Sequence, residues 1–134
     1  MKKLVIGCLA LLLSACGAGL LTPTRDFTTS DSVVLARAPT DFVQGASEVG
    51  RSLDYNISGV DNSVPSVSLS RGSGTAALMT VGRLRAIRIT VALQPDRRTI
   101  LLTLFQQGNM GTAGQSDATR RLERLKAALA TRFR

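Results

Sequence analysis

Two apolar stripes of helical period enclose a stretch whose apolar residues recur every second position, and this change of period limits the fold more than any other feature. Phe42, Ala46, Val49 and Leu53 fall at i, i+4, i+7 and i+11 after Pro39. That spacing predicts a helix with Thr40 or Asp41 as its cap and one apolar face turned to a core. Gly45 and Gly50 each weaken such a helix by about 1 kcal/mol relative to Ala, which close packing against a sheet would explain. A second stripe, Ala118, Leu122, Leu125, Leu129 and Phe133, predicts another helix from near Ser116, with Arg120, Arg121 and Arg124 on its opposite side.

Between the stripes the period is two. Tyr55 and Ile57 alternate with Asn56 and Ser58, "GVDNSVP" (59–65) reads as a turn, and Val67 and Leu69 alternate with Ser66, Ser68 and Ser70. After "RGSG" (71–74), Ala77, Met79 and Val81 hold one phase that Arg83 and Arg85 continue as charges. Ile87, Ile89, Val91 and Leu93 then resume it as apolar groups. A phase conflict of this kind predicts a turn or bulge at 82–86, pivoting on Gly82. "QPDRR" (94–98) is a tight hairpin turn leading to 99–105, which is apolar on both faces and so reads as a central strand.

Helix, a meander of three to four strands, and helix make an α+β domain. Laying the N-terminal and the C-terminal helix on one face of an antiparallel sheet buries both stripes in two layers. The domain is expected over 40–134. Residues 16–39, rich in Thr, Ser, Gly and Pro, read as a tether, within which 32–36 could add a short edge strand.

The first residues read as an export signal: Lys2 and Lys3, then an apolar stretch over 4–13. It is too short for a membrane span, which takes about 20 residues, but suits the core of a secretory signal. Leu13-Ser14-Ala15-Cys16 follows, a branched aliphatic residue and two small residues ending on a cysteine. This segment resembles the lipobox of bacterial lipoproteins at every position. The resemblance implies that a diacylglycerol is attached to the Cys16 thiol, that residues 1–15 are removed, and that the new amino group is acylated in turn. Gly17 stands where an Asp would favour retention in the inner membrane. The implied location is therefore the periplasmic face of the outer membrane in a Gram-negative cell, or the cell membrane otherwise. Each buried methylene adds about 0.8 kcal/mol, so two or three chains anchor firmly. The layout of 40–134 is also similar to that of small, uncharacterised helix–strands–helix bacterial lipoprotein families. That likeness lies in layout alone and carries no activity with it.

With Cys8 removed and Cys16 lipidated, no thiol remains for a disulfide, and the mature chain of about 120 residues must stand on a single core. The formal net charge is +8, from 17 basic and 9 acidic side chains, and beyond the signal every basic residue except Lys126 is an arginine. An exported, lipidated chain is not expected to meet nucleic acid. Anionic lipid, lipopolysaccharide phosphates, peptidoglycan carboxylates or an acidic partner suit the charge better.

Chemistry is sparse. The chain has no His, which removes imidazole as a general base and the common zinc ligand sets. No G-x-S-x-G elbow occurs, and Asp61-Asn62-Ser63 lacks the spaced acids of a calcium loop and reads as a turn. "GNMGTAG" (108–114) precedes a helix but no G-K-[ST] follows it, so it is a connection and not a phosphate loop. No catalytic residue, metal site or cofactor is expected. The site residues are Cys16 for lipidation and Arg83, Arg85, Arg88, Arg97 and Arg98 as candidate contacts to an anionic ligand, provided that they share one surface. The expected function is that of a membrane-anchored, non-enzymatic accessory protein that meets an envelope protein partner on its open sheet face or an edge strand. The alternative is a module that binds lipopolysaccharide or peptidoglycan through the arginines.

Overall fold

The computed structural model of the chain describes residues 26–71, 87–106 and 111–134. In chain order the elements are β1 (Phe27–Val34), α1 (Phe42–Ser52), β2 (Asn56–Asp61), β3 (Ser66–Arg71), β4 (Ile87–Leu93), β5 (Thr99–Gln106) and α2 (Thr112–Arg132). The class is α+β, as the change of period predicts. The sheet, however, has five strands in the order β1-β5-β4-β3-β2, every neighbour antiparallel. Strands β2 to β5 form the expected meander. The addition is β1, which lies against the outer side of β5 over its whole length, from Phe27 opposite Gln106 to Val34 opposite Thr99.

This corrects two expectations: three to four strands, and a tether running to residue 39. The sheet already includes Phe27, and the 27–34 stretch holds its place because β5 would otherwise be an edge with a full row of unpaired backbone groups. The expected strand at 32–36 lay too late in the chain. Leu35 is still engaged, donating its backbone N–H to the Arg98 carbonyl at 2.8 Å. The phase break expected at 82–86 lies outside the described residues.

From β1 at one edge the chain reaches β2 at the other through α1. Four strand spacings amount to about 19 Å, a distance that an eleven-residue helix and its flanks cover. Asp41 occupies the cap position, yet its side chain makes no capping bond. Its carboxylate accepts from the Arg132 guanidinium at 2.7 Å instead, which ties the start of α1 to the end of α2. At the same end Phe42 stacks on Phe133 with ring centroids 5.8 Å apart. The glycine reading divides between two partners. Gly50 lies against Leu69 of the sheet as expected, whereas Gly45 lies against the ring of Phe133, the residue that follows α2.

One apolar cluster unites the buried side chains. It takes Phe42, Ala46 and Val49 from α1 and Ala118, Leu122, Leu125 and Leu129 from α2, with Phe133 just beyond. From the strands it takes the alternate residues Val67, Leu69, Ile89, Val91, Leu93, Ile100, Leu102 and Leu104. The same face of β1 is less apolar. Between Phe27 and Val33 it presents Thr29 and Asp31, and Lys126 of α2 donates to the Asp31 carboxylate at 2.8 Å.

α2 starts at Thr112, a turn before the expected Ser116, because its first turn carries no apolar stripe. Among the described residues no helix is long and apolar enough to cross a membrane.

Candidate interaction surfaces

The pleat turns every second strand residue away from the apolar cluster. In register, Thr28, Phe105, Arg88 and Ser70 form one row across that face, Ser30, Thr103, Thr90 and Ser68 the next, and Ser32, Leu101, Ala92 and Ser66 a third. Val34 lies beyond, opposite Thr99. The surface is thus a field of serine and threonine hydroxyls, with Phe105 and Leu101 set in it on either side of Thr103 and Val34 at its rim. Val34 is 70% exposed, Leu101 36% and Phe105 38%, and only Val60 and Val64 join them as exposed large apolar residues among the described residues. β5 is apolar on both faces, as its sequence predicts. Its outward residues are nevertheless half-open, because neither neighbouring strand rises above them.

The candidate arginines are not drawn into one patch among the described residues. Arg88 is the second residue of β4 and exposed on the open face. Arg97 and Arg98 belong to the β4–β5 turn at the other end of that strand, about 20 Å away at 3.3 Å per residue. Arg98 is structural. Its Nε donates to the Leu35 carbonyl at 3.2 Å and its Nη2 to the Ala36 carbonyl at 2.7 Å, stitching the turn to the chain after β1. Arg97 adopts φ 58°, the left-handed conformation that closes the turn, with its N–H donating to the Gln94 carbonyl. Arg83, Arg85 and the lipobox Cys16 lie outside the described residues.

Two other charge groupings lie outside the arginine set singled out above. Asp117 and Arg121 pair at 2.8 Å one turn apart on α2. The Arg121 guanidinium holds the Asp117 carboxyl below its ordinary range, with smaller contributions from Arg120 and Arg71. Arg71 itself lies over the Tyr55 ring, 5.9 Å from its centroid. Arg71, Arg120 and Arg121 therefore share one end of the molecule, the end at which β1 begins and where Phe27 adjoins Thr112, Ser116 and Arg120 of α2. Helical spacing could have revealed the Asp117–Arg121 pair, but no local pattern brings Arg71 to it across 46 residues of chain or more.

Two turns are fixed by aspartates. The Asp61 carboxylate accepts from the Ser63 N–H and hydroxyl at 2.8 and 2.6 Å, so "DNS" is the turn that its composition predicts. Asp96 accepts from the Thr99 hydroxyl at 2.5 Å and from the N–H groups of Arg98 and Thr99 at 3.0 and 2.9 Å. These bonds hold both carboxyls below the ordinary range. Among the described residues no three His, Cys, Asp or Glu side chains converge on a point that could hold a metal ion. Gly111 precedes α2 in extended conformation, without a side-chain capping bond.

In comparison with known proteins, the chain matches no family model and no curated sequence.

Proposed function

We propose that this chain is a lipid-anchored, non-enzymatic protein of the cell envelope that acts as an accessory or assembly subunit by docking a protein partner. Cys16 is its acylation site and the periplasmic face of the outer membrane its location. Both helices form one layer over one face of the sheet, which leaves the opposite face for the partner. The observation that carries this reading is the exposure of three large apolar side chains, Val34, Leu101 and Phe105, within the hydroxyl field of this face. Apolar centres framed by polar groups are the usual anatomy of a protein-binding surface. The alternative, an arginine patch for an anionic polymer, is weakened by the distance between Arg88 and Arg97 and by the engagement of Arg98 with backbone carbonyls.

The test pairs two changes. Cys16→Ser should abolish labelling by radioactive palmitate and leave the precursor uncut; continued labelling refutes the anchor. Leu101→Ser with Phe105→Ser should keep the thermal transition but lose the protein captured by cross-linking in membranes. A captured partner that survives this double change counts against the open face.

A further inference from the structure

Strand β1 starts at Phe27, so ten residues, 17–26, separate the sheet from Cys16. Fully extended they reach about 35 Å, and as flexible coil they average about 17 Å, at 5–6 Å times the square root of the length. The eight residues of β1 measure about 26 Å. A coil of that length would on average be shorter than the sheet is long. If Cys16 is in the bilayer, the end of the sheet carrying Phe27, Asn56, Arg71, Ile87 and Gln106 lies against the headgroups. The end carrying Val34, Asp61, Ser66, Leu93 and Thr99 points away.

Both ends carry exposed arginines, and the tether decides which end meets the bilayer. At the Val34 end Arg132 is held by Asp41 and Glu48, Arg98 by backbone carbonyls, and Arg37 donates to the Arg134 carbonyl at 3.1 Å, while Arg97 and Arg134 are exposed. At the Phe27 end Arg71, Arg88 and Arg120 are exposed and make none of the ion pairs found among the described residues. Arg51, in the last turn of α1, is exposed there too. Asp117 is neutralised by Arg121, and Asp26, Asp54 and Glu123 are the other carboxylates near this end. Phe105 stands beside Arg88 in the register and is 38% exposed.

We infer that the Phe27 end is a membrane-facing surface that binds anionic phospholipid headgroups through Arg71, Arg88 and Arg120. It holds the strands pointing away from the bilayer, with the open face and both sheet edges turned sideways. This rests on the lipid anchor proposed above, and it adds an orientation that the anchor alone does not supply. Basic groups within a Debye length of an anionic leaflet are attracted to it, and salt removes the attraction.

The chain contains no Trp, so one introduced Trp is a clean reporter. Ser116→Trp places it on α2 at the Phe27 end, and Val64→Trp at the far end. The full protein, purified from membranes, is mixed with phosphatidylcholine vesicles bearing a headgroup spin label, with or without phosphatidylglycerol. Ser116→Trp should be quenched in the phosphatidylglycerol vesicles at low salt, while Val64→Trp should not. High salt, or Arg71→Gln, Arg88→Gln and Arg120→Gln together, should return the quenching to the level of neutral vesicles. Arg37→Gln, Arg97→Gln and Arg134→Gln together, which remove the same charge from the far end, should leave it unchanged. Equal quenching of both reporters, insensitivity to phosphatidylglycerol and salt, or equal loss in both triple variants would overturn the orientation. The intact mass of the same preparation reports separately on acylation of Cys16. An unmodified mass refutes the anchor, while the reporter pair still decides whether this end meets the membrane.

Discussion

Substituting Gly50 by Ala sets local propensity directly against packing. In an exposed helix the change stabilises by about 1 kcal/mol. Here the new Cβ would lie 2.5 Å from Cδ2 and 3.2 Å from Cδ1 of Leu69, well inside the contact distance of about 3.5–4.0 Å. Leu69 is fully buried in β3 and enclosed by the core, so it has little room to turn aside. Overpacking of this sort costs about 1–3 kcal/mol. The difference is a net loss of about 1 kcal/mol, which lowers the melting temperature by about 4 °C for a domain of this size. Thermal unfolding followed by circular dichroism reads it directly. A double-mutant cycle sharpens the test. In a Leu69→Val background the shorter side chain leaves space for the Cβ, and Gly50→Ala should turn neutral or stabilising. A rise in melting temperature in the wild-type background, or an undiminished loss in the Leu69→Val background, would refute the close approach of α1 to β3.

Gly45→Ala should also lower the melting temperature, because its Cβ would meet the Phe133 ring at 2.8 Å, and that ring is buried and stacked on Phe42. Leu102→Ala removes a fully buried side chain from the middle of β5 and should destabilise by about 2–5 kcal/mol in urea titrations. Asp54 takes φ 63° just after α1, so Asp54→Gly should raise stability by up to about 1 kcal/mol, read as a higher urea midpoint. Stability should also depend on pH in a specific way. Asp31, Asp61, Asp96 and Asp117 titrate below their ordinary 3.8 in the folded state, Asp31 chiefly because Lys126 donates to it. The unfolded chain therefore binds more protons near that pH, and the contribution is complete above about pH 5 and lost as pH falls below about 4. Lys126 titrates above its ordinary 10.5, so its share is present below that pH and lost above it. With no His in the chain, the melting temperature should be flat between about pH 5 and 8, and a step in that interval would contradict this assignment.

The elements legible in the sequence are those whose apolar period is clean. Phe42, Ala46 and Val49 on α1, Val67 and Leu69 on β3, and Ile89, Val91 and Leu93 on β4 all lie where their spacing puts them, in the core. β1 is hidden because "FTTSDSVV" has hydroxyls on both faces. The inward position that matters most, Asp31, is satisfied by Lys126, 95 residues away, and no local rule foresees that pairing. α2 begins early for a similar reason: Thr112 and Gln115 supply no period, and the helix is already under way when Ala118 starts the stripe. The arginines show the limit of composition. Arg97 and Arg98 look alike in sequence, yet the first has its backbone in the left-handed region and the second spends its guanidinium on the carbonyls of Leu35 and Ala36. Whether Arg88 shares a surface with them depends on strand direction, which the meander settles by sending them to opposite ends.

The open face is the centre of the functional account, and site-specific photo-cross-linking in living cells addresses it most directly. A photoreactive residue is placed at Leu101 or Phe105 on that face, and at Ala127 or Thr131 on the exposed side of α2 as controls. Adducts with one envelope protein from the first pair, and none from the second, are the predicted result. No adduct from the open face, or equal adducts from both layers, would contradict it.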